Sequence, residues 1–94
     1  MHIVHDSLAG TLESSDAVVR VSPLPTLEVT VVSTVEAQFG AQIRAVVAET
    51  LDALAVESGR VVVEDKGALD CTLRARVQAA VARACDEPLD WSAL

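Results

Sequence analysis

Residues 27–56 read LEVTVVSTVEAQFGAQIRAVVAETLDALAV, and the spacing of apolar residues changes partway along them. Over 27–32 the period is two: Leu27, Val29 and Val31 fall on one side of an extended chain, Glu28 and Thr30 on the other. That alternation suits a strand in a sheet that is buried on one face and wet on the other. From Val35 onward the period is that of a helix. Val35, Phe39, Ile43, Val46, Val47, Thr50, Leu51 and Leu54 form one stripe, with Gln38, Gln42, Glu49 and Asp52 outside it. Ser33 or Thr34 stands where an N-cap belongs, and Ser33 is followed three residues later by Glu36, the capping-box spacing. The pattern predicts a helix to about Val56, stopped at Gly59. Gly40 inside it costs about 1 kcal/mol relative to Ala.

The same reading extends in both directions. Downstream, Arg60 to Glu64 is a β segment around Val61, Val62 and Val63. A closing helix over about 68–84 has its apolar face in Leu69, Leu73, Val77, Ala80, Val81 and Ala84, with Arg74, Arg76 and Arg83 outside that face. Pro88 ends any continuation, and 86–94 is expected to be a loosely ordered tail. Upstream, Pro23 and Pro25 interrupt the pattern, since each lacks an N–H and fixes its own φ. Before them, 8–13 and 16–21 read as two strands with Ser14 and Ser15 at the hairpin tip. The order β-β-β-α-β-α predicts an α+β fold: one domain over 1–94, two layers, a small mostly antiparallel sheet packed on one face by two helices.

Composition narrows the function classes. The 94 residues carry 14 acids against 7 bases, a net charge of −7. Residues 1–57 hold eight of the acids and two of the bases, so the N-terminal part accounts for most of the excess. Such a surface repels phosphate backbones, and no basic stripe with interleaved aromatics exists, which argues against nucleic acid as a partner. It does suit docking on more basic proteins. No apolar run approaches membrane-spanning length, so no membrane partner is expected. Cys71 and Cys85 have no Cys or His neighbours at metal-ligand spacing. Reduced thiols and a cytoplasmic location are the simplest reading.

Residues able to do chemistry are few. His2 and His5 are the only histidines, both in the first five residues, and read as a frayed end. The run Glu64-Asp65-Lys66 reads as a solvated strand-to-helix loop. Cys71 reads as a packed or half-buried thiol rather than a nucleophile. The four glycines are scattered, so no phosphate loop is present. Asp6-Ser7-Leu8 matches the attachment triplet of ordinary phosphopantetheine carriers, where it opens the second helix of a bundle. Here it precedes strands with no helix before it, and is set aside. An enzyme acting alone is not expected: no catalytic and no metal-binding residue is assigned.

Two blocks carry a resemblance. Ala-Gly-Thr-Leu-Glu-Ser at 9–14, followed after Ser15 by Asp16, and Asp-Lys-Gly-Ala-Leu-Asp-Cys at 65–71, running into Leu-Arg-Ala-Arg at 73–76, resemble the acyl carrier (γ) subunit of citrate lyase. Val35-Glu36, Gln38-Phe39-Gly40 and Ile43-Arg44 resemble that family's long helix. In that family the serine of the first block carries phosphoribosyl-dephospho-coenzyme A (phosphoribosyl-dephospho-CoA) through a phosphodiester, and by position that serine is Ser14. The family often has glycine next, where this chain has Ser15.

The resemblance implies a non-catalytic carrier of acetyl and citryl thioesters during cleavage of citrate to acetate and oxaloacetate. Its implied partners are an acyl transferase (α) subunit, an acyl lyase (β) subunit and a prosthetic-group transferase. Lys66, Arg74 and Arg76 are a candidate basic surface for docking or for the arm's phosphates. The alternatives are the carrier subunit of malonate decarboxylase, against which the second block argues, and an assembly module with no covalent group.

Overall fold

The computed structural model describes residues 2–85. Six elements follow in the expected order: β1 (Ser7–Gly10), β2 (Ala17–Ser22), β3 (Leu27–Ser33), α1 (Glu36–Ala53), β4 (Gly59–Asp65) and α2 (Asp70–Ala84). The expected tail over 86–94 lies outside the described residues. No helix among the described residues is long and apolar enough to cross a membrane.

The strands form one sheet in the order β1-β2-β4-β3. β1/β2 and β2/β4 are antiparallel, while β3 and β4 run parallel with α1 as the crossover between them. Register explains the core. Ala9, Val19, Val63 and Val31 stand in one row across the sheet, and Ser7, Val21, Val61 and Val29 in the next. Both rows face the helices, and Val19, Val61 and Val63 are fully buried there. Against them pack Ile43, Val47 and Leu51 of α1 with Leu73, Val77 and Val81 of α2. Each such side chain contributes about 1.5–3 kcal/mol by leaving water. On α2 the small residues Ala80 and Ala84 let the helix approach closely, and the Ser7 hydroxyl donates to the Ala80 carbonyl at 2.6 Å.

Several expectations are corrected. β1 ends at Gly10, not at residue 13, because the chain turns there with φ +102°. A Cβ at this position would fall 1.8 Å from the Ala17 carbonyl oxygen, so only glycine fits. The capping box does not form. Ser33 is the last residue of β3; its hydroxyl donates to Asp65 at 2.8 Å and accepts from the Val35 N–H at 3.0 Å. The N-cap therefore falls on Val35, with no side-chain cap. At the other end α1 stops at Ala53, and the left-handed residue that closes it is Ala55 (φ +54°) rather than Gly59, which opens β4.

Four members of the expected apolar faces are not in the core. Leu27 is 41% and Val29 44% exposed on β3, the edge strand, while Phe39 is 49% exposed and Leu69 70%. The first turns of α1 border an open groove instead of the sheet. Leu69 is the extended N-cap of α2, and so lies off the helix face. The segment from Ile3 to His5 is not frayed. Val4 and His5 donate their N–H groups to the Ala84 carbonyl at 2.8 and 3.0 Å, and Ile3 between the two histidines is buried in the core.

Candidate functional site: a clasped hairpin turn

The connection from β1 to β2 is short, and its last two residues, Ser15 and Asp16, are fixed from outside. Glu13 to Asp16 closes as a turn, with the Asp16 N–H donating to the Glu13 carbonyl at 3.2 Å. The Ser15 N–H donates to the Lys66 carbonyl (2.8 Å), and the Lys66 N–H donates to the Asp16 carbonyl (2.9 Å). These two bonds carry the β2/β4 pairing past the end of both strands. The two blocks singled out in the sequence, 9–16 and 65–76, are thus one structural unit.

Asp16 is the hub of this turn. Its carboxylate accepts two hydrogen bonds from the Arg76 guanidinium, from Nε at 2.9 Å and a terminal nitrogen at 3.0 Å. The Thr11 hydroxyl donates to it at 2.6 Å and the Ala17 N–H at 2.7 Å. Arg76, with Thr11 and the Ala17 amide in support, holds the Asp16 carboxyl well below its ordinary value of 3.8, and the same pair raises the Arg76 pKa. The unfolded chain near pH 3.8 and below binds a proton that the folded chain refuses. This stabilisation is therefore complete above about pH 4 and is lost as pH falls through the depressed folded value. Urea titrations between pH 7 and pH 3 are expected to show a fall in stability that Asp16→Asn reduces; an unchanged pH dependence in the variant would count against the clamp.

Ser14 sits in the middle of this clasped turn and is exposed. Among the described residues its hydroxyl takes no part in the hydrogen bonds that fix its neighbours. A primary alcohol so placed is open to an incoming phosphoryl donor, and the backbone around it does not need to order first. Ser15 is different. Its φ is +65°, the left-handed region where a side chain costs about 1–2 kcal/mol and glycine does not. Ser15→Gly is accordingly expected to raise stability by about 0.5 kcal/mol, once the added freedom of the unfolded glycine is subtracted. Equal or lower stability in urea would contradict the strain.

The remaining candidates separate. Ser7, in β1, is part-buried and donates its hydroxyl to the Ala80 carbonyl of α2, unlike the exposed Ser14. Ile3, between His2 and His5, packs beside Gly59 at the start of β4, six residues and about 20 Å from the Asp65 end. Cys71 is exposed in the first turn of α2, contrary to the packed thiol expected, and Cys85 is buried. Lys66, Arg74 and Arg76 do not make one basic surface. Arg76 is engaged with Asp16, and Arg74, two residues away, lines a shallow cleft with Glu49 and Thr50 of α1. Lys66 is exposed beside the turn.

Asp65 is the residue the sequence reading missed. It is 2% exposed, not solvated. Its carboxylate accepts from the Ser33 hydroxyl (2.8 Å) and from the N–H groups of Gly67 and Ala68 (both 3.0 Å), while its carbonyl accepts from the Thr34 N–H at 3.1 Å. It joins the ends of β3 and β4 to the segment that leads into α2. The signal was present: the alternation of Val61 and Val63, carried two residues further, puts Asp65 on the helix face.

Next to this segment lies a groove of about 450 Å³. Val35, the N-cap of α1, and Phe39 and Ile43 of α1 line one side and Ala68 and Leu69 the other, with Gln42 donating to Asp70 at 2.9 Å. The hairpin turn, the 65–69 segment and the start of α1 therefore meet at one end of the sheet, at the carboxyl ends of its two parallel strands.

Comparison with known proteins agrees with this architecture. The family model described as the malonate decarboxylase delta subunit matches residues 4–84. A citrate lyase acyl carrier protein of Enterobacter sp. (strain 638) is 58% identical, over 98% of this chain and 97% of that protein. Those of Vibrio cholerae (strain M66-2) and Haemophilus influenzae (strain Rd) are 57% and 52% identical, over 100% of this chain and 99% of each. Among solved structures, a chain of a Pseudomonas malonate decarboxylase hetero-tetramer in complex with malonate superposes with a TM-score of 0.76, covering 86% of this chain and 84% of that one. At 18% identity that likeness is one of fold.

Proposed function

The chain belongs to the citrate lyase acyl carrier proteins, and from that membership we propose that Ser14 is the residue to which its prosthetic group is attached. The protein is an acyl carrier of citrate lyase, and the malonate decarboxylase reading falls to a related family. The group proposed is phosphoribosyl-dephospho-CoA, joined to the Ser14 oxygen as a phosphodiester. When bound it supplies a thiol on a long tether, on which acyl groups travel as thioesters.

The observation that carries the reading is the exposed Ser14 hydroxyl on a turn whose neighbours are pinned from both sides. A hydroxyl buried or spent on a backbone carbonyl, as Ser7 is, would not fit such a group. The chain's own residues have three tasks here. Ser14 anchors. Asp16 and Arg76 hold the turn in the shape that a transferase meets. Lys66, exposed beside the turn, offers a cation to the anchored phosphates. Bond-making and bond-breaking belong to an acyl transferase subunit and an acyl lyase subunit, between which the tether raises the local concentration of the thioester. The two histidines flank Ile3 at the far end of the sheet, away from the anchor. Cys71 and Cys85 are present as thiols, the Cys85 thiol donating to the Val81 carbonyl at 3.0 Å, in keeping with a cytoplasmic carrier.

The test is intact mass and peptide mapping of the chain isolated from a native source. Added mass corresponding to phosphoribosyl-dephospho-CoA on Ser14 supports the reading. The same mass on Ser15 moves the site by one residue. A bare chain recovered together with its transferase and partner subunits overturns it.

A further inference from the structure

The groove between α1 and residues 67–70 has no role in anchoring, and two large apolar side chains, Phe39 and Leu69, are left half or mostly exposed along it. We propose that this groove is a resting cradle for the pantetheine end of the arm, an inference that rests on the Ser14 attachment reading.

Proximity is the first argument. Ser15 is hydrogen-bonded to Lys66, and the groove wall begins at Gly67, one residue and about 3.8 Å further along the chain. A group tethered to Ser14 is present at this wall at millimolar effective concentration, so even weak affinity fills it. Outside its immediate chain neighbours, nothing lies within 4 Å of the place where a Gly67 side chain would begin, so the groove is open at this residue.

Charge along the path is the second. An arm of the coenzyme A type is anionic at its anchored end and neutral at the other, where a gem-dimethyl group and two amides lead to the thiol. Lys66 stands beside the anchor, and the groove beyond it is apolar apart from Gln42 and Asp70. The Asp70 carboxylate repels phosphates and accepts amide N–H groups, as does the Gln42 side-chain carbonyl. The order of chemistry along the protein thus matches the order along the arm. The volume, about 450 Å³, is that of an ordinary small-ligand pocket. Shelter there would slow reaction of the thiol with solvent-borne reagents between visits to partner sites.

The test compares the full-length chain without and with its arm. Amide NMR shifts are expected to move on loading at 35–43 and 67–70 as well as around Ser14. In a Cys71→Ser background, alkylation of the arm's thiol is expected to speed up about two- to tenfold on Leu69→Asp, the range given by millimolar effective concentration over millimolar affinity. Leu69 is largely exposed, so this change does not threaten the fold; Phe39→Ser is expected to act in the same direction. An arm mapped to Ser14 with shifts confined to the turn and indifferent alkylation overturns the cradle alone. Leu69→Asp weakening capture of the partner subunits without altering alkylation also overturns it, and makes the groove a protein contact. An arm absent from Ser14 overturns the attachment reading and the cradle with it.

Discussion

Ser14→Ala is expected to abolish loading of the prosthetic group outright while leaving stability within about 0.5 kcal/mol of the parent chain. The side chain is exposed and makes none of the bonds that close the turn, so its removal costs the fold nothing specific. Citrate cleavage by a complex assembled on this variant should be lost entirely, because no alternative anchor is equivalent. Ser15→Ala is the control. Its N–H still reaches the Lys66 carbonyl, so the turn persists and loading should continue. Co-expression of each variant with the transferase, read by intact mass, distinguishes the two. Loading of Ser14→Ala at a normal level would show that the anchor lies elsewhere.

Asp65→Ala should produce the largest loss of stability, about 2–4 kcal/mol. It strips the acceptor from one part-buried hydroxyl and two part-buried N–H groups around a carboxylate that is 2% exposed. The damage is not confined to stability. Lys66 is the next residue, and both of its backbone groups hold the Ser14 turn. Loading by the transferase is therefore expected to slow in Asp65→Ala even where the variant is folded. Asp65→Asn keeps the shape and one acceptor, and should lie between. Urea unfolding that places Asp65→Ala within about 0.5 kcal/mol of the parent would mean the three bonds contribute little.

The fold was legible where a pattern runs long enough to have a period. The alternation at Leu27, Val29 and Val31 identified β3, and the stripe through Ile43, Val47 and Leu51 identified α1 and its buried face; burial of the β3 face did not follow, because β3 is an edge strand and Leu27 and Val29 stay exposed. The strand order was not legible. It depends on β4 inserting between β2 and β3, a choice made by tertiary packing of Val61 and Val63 on both sides. Caps were misread for a related reason. Ser33 has the right spacing for a capping box, but its hydroxyl is claimed by Asp65, 32 residues away.

Within the site, the position of Ser14 came from resemblance, since a serine in a polar turn is ordinary. The clamp that supports it joins Asp16 to Arg76 across 60 residues, and no local signal announces such a pair. Arg76 had instead been grouped with Lys66 and Arg74 by nearness in sequence, which a helix scatters over different faces.

The clasp on Ser15 and Asp16 has a geometric consequence for the whole complex. A pivot held this firmly has a fixed centre, so everything hung from Ser14 sweeps a sphere about one point on the carrier. Active sites served by the carrier must lie inside that radius or wait for the carrier itself to turn. Its body measures 34 × 27 × 21 Å, so a complex that spaces its centres more widely needs a chamber roomy enough for that body to rotate.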